Sequence, residues 1–192
     1  IDGNVYVMGG KVTVSAKIGG DLFVFANELI LTEDCYTYGN LYVLAPTITI
    51  NGIVCDLYAT GTDLSIGATG IVLRDARTLA SNTAINGNIG RNAFVQTNTL
   101  SMAEEAHIYG NLSYTASEAI VVPSGAVEGE ITFTNLTGAN VGDVILSYVW
   151  DFVYTLVYTL VIFGLFIFVA PKFTNNLYEF TKKKWLPALG IG

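Results

Sequence analysis

The chain has 192 residues, 52% of them hydrophobic, with 20 glycines and a formal net charge of −7. An acidic balance with no basic stripe between aromatics repels phosphate backbones and excludes nucleic acid as a partner. One histidine and two cysteines in no metal-ligand spacing exclude a histidine-rich metal centre and a fold stapled by several disulfides.

The first 134 residues repeat themselves. Segments IDGNV, IGGDL, TYGNL, VCDL, VLRDA, IGRNA, IYGNL and VEGEI align on Asn4, Asp21, Asn40, Asp56, Asp75, Asn92, Asn111 and Glu130, at intervals of 17, 19, 16, 19, 17, 19 and 19. Glycine followed by Asn or Asp makes a corner cheaply, because both residue types accept turn backbone conformations. A short strand follows each corner. In the third unit Leu41 and Val43 alternate with an outward Tyr42, a second corner falls near Ala45-Pro46, and Ile48-Thr49-Ile50 resumes the period of two before Asn51-Gly52 turns the chain back.

Inward positions can then be followed from unit to unit. Val5, Leu22, Leu41, Leu57, Ala76, Ala93, Leu112 and Ile131 form one apolar column. Val14, Leu31, Ile50, Ile66, Ile85, Met102 and Val122 form a second, with Val12, Leu29, Ile48, Leu64, Thr83, Leu100 and Ile120 two residues earlier. One unit cannot bury such a face alone, so the units must stack. The fold class is therefore all-β: a single-stranded triangular β-helix over 1–134, with strands of three to five residues, about eight coils of ~18 residues and a right-handed course.

The I-x-G-[ND]-L pattern, clearest in Ile18-Gly19-Gly20-Asp21-Leu22 and Ile108-Tyr109-Gly110-Asn111-Leu112, resembles the bactofilins, bacterial polymer-forming cytoskeletal proteins. The resemblance covers residues 1 to about 134 and implies a right-handed β-helix, end-to-end polymerisation and scaffolding without catalysis. Cys55, Arg74 and Arg91 depart from it by replacing the corner glycine, and an apolar segment follows that soluble bactofilins lack, so a membrane-linked relative is the better likeness.

After a linker over 135–143, residues 144–170 read as a transmembrane helix, uncharged from Phe152 to Ala170 and so about 28 Å long where free of charge. Asp151, beside Tyr148, Trp150 and Tyr154, reads as an interfacial or helix-start residue. Residues 171–184 read as an interfacial amphipathic helix and 185–192 as the start of a second, truncated membrane segment. The Lys182-Lys183-Lys184 cluster is expected on the cytoplasmic side of a bacterial membrane, with the acidic solenoid outside it. The opening on Ile1-Asp2-Gly3, already inside a corner, leads to the expectation of a processed chain.

Chemistry-bearing residues are few. His107 is expected as an exposed corner histidine, Asp75 with Arg74 and Arg77 as a surface ion pair, and Cys35 and Cys55 as thiols offset too far to bridge. No catalytic residue, metal ligand or cofactor site is expected. Tyr36, Tyr38, Tyr42 and Tyr58 could instead offer stacking platforms to cell-wall glycan. The expected function is a non-catalytic, membrane-anchored scaffold that self-associates through solenoid ends or flanks, with a glycan-binding, adhesin-like module as the alternative. The partners are membrane lipid and further copies of the chain.

Overall fold

The computed structural model describes residues 1–136 and 141–169. In chain order the strands are β1 (Val5–Val14), β2 (Lys17–Ile18), β3 (Leu22–Leu31), β4 (Tyr36–Thr37), β5 (Leu41–Leu44), β6 (Thr47–Ile50), β7 (Ile53–Val54), β8 (Leu57–Ile66), β9 (Ile71–Val72), β10 (Ala76–Ile85), β11 (Asn88–Ile89), β12 (Ala93–Met102), β13 (His107–Ile108), β14 (Leu112–Ala116) and β15 (Ile131–Asn135), followed by α1 (Val141–Val169). Every strand pairing is parallel and joins one coil to the next, so this is a β-solenoid. Its long strands stack in the order β1-β3-β5-β8-β10-β12-β14-β15, with β6 between β3 and β8, and its short strands β2, β4, β7, β9, β11 and β13 stack separately.

The register reproduces the first apolar column step by step, from Val5 against Leu22 to Leu112 against Ile131. Leu22, Leu41, Leu57, Ala76, Ala93 and Leu112 are buried. The pair of columns on the second face is also in register from Val12 and Val14 to Leu100 and Met102. Beyond Ala116 the chain is irregular, so Ile120 and Val122 pack against the core without belonging to a strand.

Two expectations need correcting. Most long strands run ten residues, and the second corner is a bend inside them: buried side chains follow Leu22, Val24, Ala26 and then Leu29, Leu31, so the period of two slips once and the strand turns from one face to the next. At Pro46, whose nitrogen carries no hydrogen, the strand breaks outright, and there the N–H groups of Thr62 and Asp63 both reach the Pro46 carbonyl oxygen. The coil count is also lower. The stacked strands bound about seven turns, because β15 is followed by α1 and not by a returning half-coil.

A third inward column, Ile18, Thr37, Val54, Val72, Ile89 and Ile108, closes the core through the short strands. These are the first residues of the repeated segments, a signal that the two-column reading passed over. Within the core the hydroxyls of Thr78 and Thr83 are buried without a partner. Thr83 stands between Leu64 and Leu100 in a leucine column. Thr83→Val removes an unpaired hydroxyl at constant shape and is expected to stabilise the fold by about 1 kcal/mol, read from the urea midpoint.

The helix begins three residues earlier than the sequence suggests, and Asp143 in its first turn suits the positive end of the helix dipole. Asp151 therefore lies inside the helix and not at its start. Among the described residues no helix is long and apolar enough to cross a membrane, which corrects the transmembrane reading of 144–170. The interfacial helix over 171–184, the segment 185–192 and the Lys182–Lys184 cluster lie outside the described residues. The solenoid, Ile1–Val144, and the following residues, Ile145–Gly192, form separate compact units.

Candidate interaction surface

Most corners are held by the side chain one coil below. The backbone N–H of Asp21 donates to Asn4 Oδ1 at 2.8 Å, that of Asn40 to Asp21 Oδ1 at 2.7 Å, that of Asp75 to Asp56 Oδ1 at 3.0 Å, and that of Asn92 to Asp75 Oδ1 at 3.2 Å. Asn111 and Glu130 continue the ladder upward. The short side chain thus supplies an acceptor to a backbone donor that strand pairing leaves over. Of the corner glycines only Gly3 has a positive φ. What the others provide is room, since a β-carbon on Gly20 would press on Asn4 Oδ1 and come within 2.7 Å of the Gly3 carbonyl carbon.

The residues that replace corner glycine serve this ladder. Arg74 donates to both Asp56 oxygens, at 3.2 and 2.6 Å, and reaches Asn40 Oδ1 at 3.3 Å. Arg91 donates to Asp75 Oδ2 at 2.9 Å, and Arg77 stands 3.7 Å from the same oxygen. Asp75 is therefore bridged by Arg91 more closely than by its sequence neighbour Arg77, while Arg74 turns to Asp56. Burial acts to raise the Asp75 carboxyl, but the Asn92 backbone N–H, the Arg91 guanidinium and the Asn92 amide outweigh it and hold the carboxyl below the ordinary aspartate range. A carboxyl depressed in the folded state stabilises the fold above its unfolded pKa, and that contribution is lost as pH falls through the folded value. The melting temperature of wild type is thus expected to exceed that of Asp75→Asn at pH 7, with the gap closing from about pH 4 downward.

The outward side of the first face carries a different ladder. The rings of Tyr6, Phe23, Tyr42 and Tyr58 stack at centroid spacings of 4.7, 4.7 and 4.8 Å and within 8° of parallel. Arg77 takes the next rung, 5.6 Å from the Tyr58 ring and 5.0 Å from that of Phe94. The neighbouring outward column is Met8, Phe25, Leu44, Thr60, Leu79, Gln96 and Thr115. Met8 is 80% exposed, Tyr6 72% and Phe25 54%. Parallel in-register pairing forces the stack: side chains one coil apart stand about 4.8 Å from one another, close to the contact distance of aromatic rings. Together the columns line a broad, open, apolar depression.

Of the tyrosines read as platforms, Tyr42 and Tyr58 belong to this ladder, whereas Tyr36 and Tyr38 form a tilted pair at 4.5 Å beside the short-strand sheet. Tyr6, Phe23 and Phe94 line the same face, each two residues after its corner Asn or Asp, as Tyr42 and Tyr58 are. His107 lies in β13 and not at a corner, with Nε2 3.2 Å from Glu128 Oε1 and its ring 4.4 Å from Tyr109. Cys35 and Cys55 are free thiols, and burial pushes the Cys35 thiol up. Among the described residues no three His, Cys, Asp or Glu side chains gather as metal ligands.

These features define a parallel β-solenoid with a corner ladder and one apolar, aromatic outer face. In comparisons with known proteins, no family model, curated protein or solved structure matches the chain.

Proposed function

We propose that the chain is a non-catalytic scaffold of the bactofilin type, which self-associates through its solenoid and is held at a bacterial cytoplasmic membrane through its helical segment. The observation that carries the reading is the exposed apolar face of the first sheet, since apolar patches of this kind on a soluble domain mark surfaces for association. The Asp, Asn and Arg side chains that could bear chemistry are engaged in holding corners together. The corner pattern that resembles bactofilins recurs at the same place in successive coils, and a right-handed course accords with the preference of parallel β-crossovers.

Membrane attachment is supported by α1, whose described side chains, among them Leu146, Trp150, Phe152, Leu156 and Leu160, are exposed. An apolar helix in that state calls for lipid or protein cover. The glycan-binding alternative loses weight here. A sugar stacks on a ring face, and both faces of Phe23 and Tyr42 are taken by neighbouring rings.

Negative-stain electron microscopy of residues 1–143 across a concentration series tests the scaffold. Chains, sheets or discrete oligomers growing with concentration are expected, and monomeric particles at every concentration would refute self-association. Membrane attachment is tested on the full chain, which should float with lipid vesicles in a density gradient. Recovery with the unbound protein would leave α1 no lipid role.

A further inference from the structure

We infer that the aromatic face is a lateral interface between two copies of this chain, packed face to face with their solenoids parallel. This deepens the proposed scaffold by assigning its self-association to a flank and not to the coil ends.

The rings exclude a planar ligand. Stacked along the coil axis, Phe23 and Tyr42 turn only their edges outward, so no planar ligand can lie against a ring face there. What remains is a flat strip of ring edges beside the tips of Met8, Phe25, Leu44 and Leu79. A flat, regularly spaced apolar strip is complementary to another sheet face packed about 10 Å away. Within the described solenoid the second outer face cannot supply one, because Thr47, Thr49, Asp63, Ser65, Asn82 and Thr99 make it polar, and the face of the short strands, two residues wide per coil, is too narrow to match it. The same face on a second copy can.

The gradient along the stack sets the orientation. The first three rungs carry Tyr6 with Met8, Phe23 with Phe25 and Tyr42 with Leu44, while the later ones carry Ser113 with Thr115 and Thr132 with Thr134. An antiparallel pair would set aromatic rungs against serine and threonine. A twofold axis along the stack sets each rung against itself, apolar on apolar. Six rungs about 4.8 Å apart, and some four residues wide, bury on the order of 1,000 Å² between two copies, the lower bound for a specific interface. Arg77 then faces its own counterpart across the axis, with its charge offset by Asp75 at 3.7 Å and its guanidinium held between the Tyr58 and Phe94 rings.

The test uses the full chain in detergent, followed by sedimentation velocity from low to high concentration. Wild type should dimerise, and the double variant Phe25→Glu/Leu44→Glu should raise the dissociation constant by ~100-fold or more, because like charges then face each other in a desolvated strip. Thr49→Glu/Ser65→Glu, on the polar face, should leave it unchanged, and circular dichroism should be the same for all three. In a Cys55→Ser background, Met8→Cys at the first rung should cross-link to its counterpart through a short bismaleimide, and Ser65→Cys should not. Wild-type assembly that survives Phe25→Glu/Leu44→Glu would overturn the lateral interface while leaving the scaffold standing. A monomeric wild type would overturn both. Met8→Cys chains that remain uncross-linked within a variant-sensitive dimer would overturn the parallel arrangement, and loss of vesicle binding in a monomeric variant series would assign the face to lipid.

Discussion

Gly87→Val is expected to cost the solenoid about 3 kcal/mol or more, lowering the melting temperature by roughly 10 °C or leaving the chain insoluble. Gly87 is buried where the second face turns toward the third. A β-carbon there would press on the carbonyl oxygens of both Gly67 and Gly70, in the coil below, and stand 3.1 Å from the Gly70 carbonyl carbon. These are backbone atoms, which no rotamer change can move aside. The Gly70 carbonyl also accepts the Asn88 N–H at 3.0 Å, so any shift that relieves the clash breaks a rung of the short-strand sheet. Gly10→Val is the control: nothing lies within 4 Å of its β-carbon position, and its effect should stay below about 1 kcal/mol. Thermal melts of the two variants, side by side, check the difference.

Leu57→Ala should destabilise the fold by about 3 kcal/mol, within the usual span for a fully buried leucine. Leu57 has no exposed surface and stands in the first column between Leu41 and Ala76. Ala76 is already small, so its layer cannot close over the space left behind, and the cavity persists. Val5→Ala, in the same column at the open end of the stack, should cost under about 1 kcal/mol because Val5 has a neighbour on one side only. Urea midpoints for the pair would show whether a column residue is worth what its two neighbours make it worth. Equal losses at both positions would contradict nearest-neighbour stacking.

Much of this architecture is legible in the residues. A corner of Gly and Asn or Asp every ~18 residues, with apolar side chains at fixed offsets from it, admits few structures besides a stacked coil. Hence the alignment on Asn4 through Glu130 anticipated the register of every long strand, even across intervals that wander from 16 to 19. The insertions fall in corners and loops, where an extra residue shifts no strand. The bend in each long strand was not legible. Alternation slips by one residue between Ala26 and Leu29, and in sequence that slip looks like a break between two short strands. The third column has no alternation of its own, with two residues per coil, and shows in the sequence only as the first position of each repeated segment.

The aromatic face shows the same division. That Tyr6, Phe23, Tyr42, Tyr58 and Phe94 share an offset is a property of the sequence alone. Stacking one on another, and so presenting edges and not faces, is a consequence of the parallel register, which holds equivalent side chains about one strand spacing apart. Ion pairing divides likewise. Charge and spacing placed Arg74, Asp75 and Arg77 together, yet Arg74 bonds to Asp56 and Asp75 to Arg91, because a corner residue's nearest neighbour is the equivalent corner of the adjacent coil. The sequence by itself determined the repeat, the inward columns and the acidic solenoid ahead of an apolar helix, since each is written in local residue order. Only the tertiary structure decided which side chains meet, because in a solenoid those contacts run between residues some eighteen positions apart, across the stack and not along the chain.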